Sequence, residues 1–507
     1  MHPRKFVRDA VGFASSQYLV RFLTTVRGLI AARLLGPAGY GSWNALMLLL
    51  EYCLYAPLGT YQGLDQAVPA RIVDGDAQRL DRLKRAGLFN VLASTAVIAT
   101  LTLLYFGRTE GQIRSAWGLS GVVMMLACAA LTAVSYYHLT LMRSHGNIVA
   151  VSRWWLYQGA IGVVLGLALI PSLGVWGLLW GWLAGTLVAT VSALWAGRRV
   201  VPLTPTPGAE SIALLKVGFP IFVYSASSFV MRTLDRLIII RFLGTEALGL
   251  YGLSVMAVGF LLTLPDAVAY VLYPQLVRRY REGGDSPAAI RDQVHRGIRA
   301  LSLAMPVLCA IVYLAADDVV EWLLPRFSGG VPSLRILCFS AVGLALANLA
   351  SIVLMTLGRQ LLLVPVAVGM GAIGVTLDLL AIRWGHGIRG VAWATFITLG
   401  LNSAVLIALA ERGLSRSGGK GLAFVVRTLV PLPLAILLAY GFERLLPGYG
   451  HPWPIRALRF LASAGGWLVL YGLVITPLAR GIGFQRLLSE FNWPWSPRVA
   501  RPEVPGA

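Results

Sequence analysis

Five charged residues lie in stretches of chain that are otherwise apolar enough for hydrocarbon: Arg21, Arg27, Arg232, Asp235 and Arg236. A guanidinium is always charged, and its planar fork of N–H donors matches phosphate oxygens two at a time. One Arg at the centre of a bilayer costs about 2.5–3.5 kcal/mol, so four facing lipid would cost roughly 10–14 kcal/mol. Water or an anion beside them removes that cost. Arg21, Arg27, Arg232 and Arg236 are therefore the candidate anion-binding set. The competing arrangement is snorkelling or internal ion pairing, with Arg27 and Arg236 placed to reach outward. Arg232 and Arg236 are four apart and share a helical face, whereas Arg21 and Arg27, six apart, do not. Asp235 reaches either neighbouring Arg and could neutralise one. Glu51 and Asp266 are the other deep carboxylates. Each of the two either couples a proton or sodium ion or pairs with a nearby Arg. Arg33 and Arg241 read as structural residues at the outer interface.

The elements that must position these side chains follow from composition. The chain has 507 residues, 57% hydrophobic and only 13% charged, with a mean hydropathy of +0.72. Soluble chains carry about 25% charge. A cytosolic enzyme, a secreted disulfide scaffold and a disordered protein are excluded. The expected fold is an all-α integral membrane protein. Apolar runs near the length of a span number fourteen. They begin with 10–35 and 40–66, include 217–242, 247–275 and 362–382, and end with 425–445 and 457–479. The first holds Arg21 and Arg27, the second Glu51, the seventh Arg232 to Arg236 and the eighth Asp266. The net charge of +21 reflects basic residues in cytoplasmic loops rather than nucleic-acid binding. With the N-terminus inside, the inner segments hold 28 Lys and Arg and the outer ones 11, which places both termini in the cytoplasm. Cys53, Cys128, Cys309 and Cys338 stand alone in apolar runs, so neither a metal site nor a disulfide framework is expected. The outer loops are short, leaving no room for a catalytic domain. The segment 316–332, with Asp317, Asp318, Glu321 and Arg326, reads as an interfacial helix. His138 reads as interfacial and Asn348 as an interhelical hydrogen bond.

The chain repeats itself. At an offset of 208, Arg33, Gly36, Gly41, Trp43 and Pro57 meet Arg241, Gly244, Gly249, Tyr251 and Pro265. At an offset of 213, Gly174, Gly177 and Trp180 meet Gly387, Gly390 and Trp393. The offset spans six helices, an even number, so both copies point the same way. Two parallel six-helix lobes are expected around a central cavity, with two further helices. Their bounds are 1–200 for the first lobe, 201–216 for a stiff cytoplasmic linker, 217–411 for the second lobe, 412–480 for the extra helices and 481–507 for a cytoplasmic tail anchored by Trp493 and Trp495. Pro57 and Pro265 break helix hydrogen bonds mid-span and are either hinges or fixed kinks. Pro171 to Gly174 reads as a tight turn.

Several pieces together resemble the polysaccharide flippases of the multidrug/oligosaccharidyl-lipid/polysaccharide exporter superfamily. They are Ala32-Arg33-Leu-Leu-Gly36-Pro37-Ala-Gly-Tyr40-Gly41, Leu215-Lys216-Val-Gly218-Phe-Pro220, Asp235-Arg236-Leu-Ile, Gly244…Gly249-Leu-Tyr251 and Tyr273-Pro274. The series Arg21, Arg27, Arg33 also resembles that of the lipid II flippases. The resemblance covers most of residues 10–410. It implies a V-shaped transporter in the bacterial inner membrane that moves undecaprenyl-pyrophosphate-linked oligosaccharide (O-antigen, capsule or exopolysaccharide units) from inner to outer leaflet by alternating access. It implies no enzyme activity and no cofactor beyond a coupling Na+ or H+. The expected partners are the lipid-linked substrate, membrane lipids and other polysaccharide assembly proteins. A cation-coupled drug exporter of the same superfamily is the nearest rival, but it would favour an anionic cleft. A major-facilitator carrier would have twelve spans, and a sugar polymerase, ligase or glycosyltransferase would carry a large outer loop.

Overall fold

In hydrocarbon every backbone N–H and C=O must be satisfied within the chain, and apolar runs of span length therefore become helices. The structure, a computed structural model, describes residues 3–108, 112–198, 200–202, 204–414, 418–445 and 453–479. The anchors Trp493 and Trp495 and the tail 481–507 lie outside these residues. The described chain is helical with no strand. Its first half holds α1 (Pro3–Cys53), α2 (Thr60–Asp74), α3 (Ala77–Arg108), α4 (Gln112–Ser144), α5 (Ile148–Leu173), α6 (Val175–Gly197), α7 (Ala209–Met231), α8 (Leu234–Phe242) and α9 (Gly244–Leu261). Its second half holds α10 (Thr263–Glu282), α11 (Ala288–Leu323), α12 (Val331–Cys338), α13 (Ser340–Thr356), α14 (Leu363–Arg383), α15 (Gly387–Leu414), α16 (Gly418–Leu429), α17 (Pro431–Leu445) and α18 (Trp453–Ala479). Among the described residues, twelve helical stretches are long and apolar enough to cross a membrane. They match the third to fourteenth expected runs. The first two runs fall in α1 and α2, where the deep charges Arg21, Arg27, Arg33 and Glu51 dilute the apolar character.

The chain forms two compact units. One comprises residues up to Thr263 with Ala316–Leu337 and Gln360–Leu399. The other comprises Leu264–Ala315, Cys338–Arg359 and Gly400 onward. In the second unit the C-terminal helices are stitched to α11. Ser302 Oγ donates to the Thr428 carbonyl at 2.5 Å, and the Tyr471 hydroxyl donates to the Leu303 carbonyl at 3.1 Å. His295 Nε2 lies 2.6 Å from Glu411 Oε2, and its ring stacks on Phe424.

The repeat is written in backbone geometry. Gly36 and Gly244 have φ of 70° and 89°, and Gly174 and Gly387 have φ of 57° and 53°. These are left-handed values that glycine adopts without a Cβ penalty. Each pair therefore has positive φ at the same place in its copy. The α1–α9 crossing is reciprocal as well. A Cβ on Gly41 would overlap the Thr245 carbonyl, and one on Gly249 would overlap the Pro37 carbonyl. Pro37 and Thr245 are themselves related by the offset of 208. The second span of each copy breaks beside its proline, at residues 54–59 around Pro57 and at Leu262 before Pro265.

Several sequence expectations need correction. The seventh run is not one helix. It stops at Met231 and restarts at Leu234. Pro171 lies within α5, and the turn is confined to Gly174. The segment 316–332 is not a separate interfacial helix. The ninth span continues to Leu323, and Asp317 within it pairs with Arg335 at 2.5 Å. His138 is buried among its neighbours, with Nδ1 2.9 Å from the Val134 carbonyl. The linker is docked on α3. Lys84 Nζ donates to the Val200 carbonyl at 2.9 Å, Arg85 bonds Thr204, and Arg82 lies 3.7 Å from Glu210.

At the Gly41–Gly249 crossing the clashing atoms are backbone, which cannot rotate away. Gly41→Leu or Gly249→Leu is expected to destabilise the protein by about 3 kcal/mol, the upper end of overpacking. Gly400→Ala, where no atom lies within 4 Å of a new Cβ, is expected to stay within about 0.5 kcal/mol. Thermal melting of the three purified variants in detergent checks the contrast.

Candidate functional site

The break in the seventh span sets the site. α7 has Arg232 as its C-cap, and Thr233 caps α8. The opened turn tightens to shorter bonds, with Arg232 N donating to the Phe229 carbonyl at 3.1 Å and Thr233 N to the Val230 carbonyl at 3.0 Å. Arg232 therefore leaves the helix end exposed, with Nε donating to the Ser228 carbonyl at 3.1 Å. Arg236 follows on the first turn of α8. Its guanidinium lies 3.9 Å from Glu51 on α1, a loose pair with side chains 23% and 40% exposed. At that distance the pair leaves most guanidinium donors available.

Aromatic rings run alongside. The Tyr52 hydroxyl lies 2.7 Å from Thr233 Oγ1 and ties α1 to the break. Tyr52 meets Phe229 edge-on at 5.0 Å, and Tyr55 stacks on Phe229 at 4.8 Å and lies 6.2 Å from Phe222. Tyr55 is within electrostatic reach of Arg232 and Glu51.

The other expected anion ligands have partners of a different kind. Arg21 Nη2 donates to the Gly259 carbonyl at 2.7 Å. That carbonyl is near the C-terminal end of α9, where carbonyls lack helical partners and a cation is favoured. Arg27 is 8% exposed and sits between two indoles, 5.3 Å from the Trp43 ring and 4.8 Å from the Trp182 ring. Such a contact is worth up to about 2 kcal/mol when desolvated. The structure thus brings together Arg232, Arg236 and Glu51, and leaves Arg21 and Arg27 in other surroundings.

The carboxylates separate likewise. Asp235 does not neutralise a guanidinium. Its Oδ2 accepts from the Tyr251 hydroxyl at 2.6 Å and from Thr395 at 3.4 Å, and its Oδ1 accepts from the Arg236 backbone N–H at 2.8 Å. Asp266, in the second unit, accepts from Asn348 Nδ2 at 3.3 Å. That bond bears out the interhelical role expected of Asn348. Pro57 and Pro265 mark helix breaks, consistent with either hinge or kink.

A second carboxylate, missed in the sequence, faces Asp235. Asp378 on α14 is 3% exposed and lines a cavity of about 20 Å³ with Arg232, Asp235, Thr395 and Thr398. That volume holds one water-sized guest. Asp378 Oδ1 and Thr398 Oγ1 are buried without a hydrogen-bond partner. Two carboxylates sharing a buried site do not both stay ionised unless a cation or proton joins them. Asp378 was visible as a lone carboxylate inside the run 362–382, the pattern that singled out Glu51 and Asp266. Thr395 and Thr398 carry no such signal. Among the described residues no group of three or more His, Cys, Asp or Glu could hold a metal ion.

A family model described as "Polysaccharide biosynthesis protein" matches residues 30–326. No curated protein matches the chain. Among solved structures, the lipid II flippase MurJ in an inward closed conformation is 10% identical, with 92% of this chain and 99% of that one covered and a TM-score of 0.68. An inward-facing multidrug resistance MATE family transporter of the MOP superfamily is 16% identical, with 78% and 95% covered and a TM-score of 0.67. A MOP superfamily transporter from Pyrococcus furiosus, described as having a binding pocket of reverse polarity, is 17% identical, with 84% and 96% covered and a TM-score of 0.55. At these identities the likeness is one of fold.

The indole cage around Arg27 makes a separate prediction. Trp182→Leu strips one face from a buried cation and is expected to cost about 2 kcal/mol. Adding Arg27→Met removes the charge and is expected to recover part of that loss. Melting curves of the single and double variants test it, and a double variant no more stable than the single would refute the cage.

Proposed function

The chain belongs to the polysaccharide biosynthesis protein family, and from that premise we propose that it moves a lipid-linked oligosaccharide, bound through its pyrophosphate, from the inner to the outer leaflet of the bacterial cytoplasmic membrane. Arg232 carries the reading: an exposed guanidinium at a helix break inside an apolar span. Arg236, one turn on, supplies the second fork. Together they suit an anion with two phosphoryl groups. Glu51 holds Arg236 loosely until substrate arrives. Discontinuous helices facing anionic groups are the usual construction of such sites.

Asp235 and Asp378, with Thr395 and Thr398, support a coupling site for one proton or sodium ion. All four offer acceptor oxygens, the oxygen-rich donor set that a hard cation prefers. Asp235 also holds the first turn of α8 through the Arg236 N–H, so cation binding acts on the same element that presents Arg236. A drug exporter of the same fold would need a site for a cationic substrate. Asp235 is taken up by Tyr251, Thr395 and the Arg236 N–H, and Glu51 lies 3.9 Å from Arg236, so the guanidiniums of Arg232 and Arg236 keep donors for an anion.

Two variants test the reading in proteoliposomes loaded with a lipid-linked oligosaccharide. Arg232→Ala is expected to slow translocation at least tenfold, the scale of one lost charge-assisted contact at about 1.5–3 kcal/mol. Asp378→Asn is expected to remove stimulation by a sodium or proton gradient. Wild-type translocation in Arg232→Ala would sink the anion site. Gradient stimulation that survives in Asp378→Asn would sink the coupling site alone.

A further inference from the structure

The half-exposed aromatic rings beside Arg232 are more extensive than a guanidinium site requires. Along α7 they run through Phe229, three residues before Arg232, to Phe222, ten residues before it, about 15 Å at helical rise. Tyr52, in the last turn of α1, and Tyr55, in the break after it, face them. The wall continues on another face of the same unit. Tyr136 is close enough to Glu51 and Tyr55 to interact electrostatically, and it meets Tyr61 at 6.2 Å, Trp154 at 5.4 Å and Trp155 at 6.3 Å.

Three features distinguish this wall from ordinary packing. Tyr55, Phe222, Phe229, Tyr136 and Trp155 are all only partly buried. The Tyr55 and Tyr136 hydroxyls make no hydrogen bond to a described residue, although Tyr61 in the same wall donates to the Ala133 carbonyl at 2.9 Å. The wall also begins at a carboxylate, Glu51, that is 40% exposed. A polyprenyl chain would leave those hydroxyls desolvated without partners and would strip water from a carboxylate whose ion pair to Arg236, at 3.9 Å, is loose. A sugar ring suits all three. Its C–H face lies on an aromatic ring, and its hydroxyl edge meets phenol and carboxylate.

We propose that this wall is the glycan subsite, with the free face of Tyr55, backed by the Phe229 ring stacked beneath it, carrying the sugar nearest the pyrophosphate and Phe222 and Tyr136 contacting sugars further along. The inference rests on the pyrophosphate reading of Arg232 and Arg236. The first sugar is bonded directly to the distal phosphate, so a ring one helical turn from Arg232 is where it must fall.

The test uses the full chain in lipid nanodiscs with two probes: undecaprenyl pyrophosphate, and the same lipid bearing a hexose or an N-acetylhexosamine. Wild type is expected to bind the glycosylated lipids at least tenfold more tightly than the bare one. Tyr55→Leu and Phe229→Leu are expected to bring that ratio close to one, while Tyr55→Phe keeps most of it by preserving the ring. Binding of the bare lipid by the Leu variants serves as the folding control. A wild-type ratio near one, or a ratio unchanged in both Leu variants, overturns the glycan subsite and leaves the pyrophosphate site standing. Failure of wild type to bind bare undecaprenyl pyrophosphate overturns both.

Discussion

A guanidinium cannot be neutralised at membrane depth, so the surrounding structure must meet its charge. That constraint organises this molecule. Arg21 is met by a carbonyl near the end of α9, and Arg27 by two indole faces. Arg232 and Arg236 are placed differently. Arg232 bonds a carbonyl of its own helix, and Arg236 faces a loose carboxylate at 3.9 Å. Four residues with the same chemistry therefore divide into two that tie α1 to other helices and two that sit at the break between α7 and α8.

The break between α7 and α8 follows from the same constraint. A continuous helix would fix Arg232, Asp235 and Arg236 on adjoining turns, and Asp235 would sit close enough to cancel a neighbouring charge. Ending α7 at Met231 turns Asp235 toward Tyr251 and Thr395. The opened backbone is repaired locally, partly by Thr233 Oγ1 bonding the Phe229 carbonyl at 3.0 Å. Thr233 then reaches Tyr52 through the same oxygen. One hydroxyl both closes the broken turn and joins the two spans that border the site.

Much of this was legible in the sequence because it depends on local rules. Apolar run length marked the spans. Paired glycines marked the turns, and the structure gives Gly36 with Gly244 and Gly174 with Gly387 matching left-handed backbone. The cost of buried charge singled out the arginines. What escaped was non-local. Nothing around Arg27 announces that Trp182, far along the chain, will cover it. The break at Arg232–Thr233 has no proline or glycine to signal it. The partnership of Asp235 with Asp378 depends on α8 packing against α14, which no spacing rule reaches. The aromatic wall was hidden for the same reason: its rings come from α1, α2, α4, α5 and α7, or from the turn after α1, and singly each looks like an ordinary core residue.

The energetics of outward transport distribute the work between the two charged centres. On the proposed reading, a headgroup of two negative charges crossing an inside-negative membrane gains roughly 5 kcal/mol per 100 mV. The loaded step thus has its own driving force, and a coupling ion is not needed to push it. The unloaded step is where a cation matters. Without substrate, Arg232 and Arg236 return inward down the same field, but Asp235 and Asp378 repel each other in a cavity of about 20 Å³. A proton or sodium ion bound there relieves that repulsion and leaves α8 anchored through Asp235. Because linkage is reciprocal, an anion that draws Arg236 outward would weaken the Asp235 anchor and release the cation. The two sites then favour opposite states of one element, as exchange of substrate for a coupling ion requires.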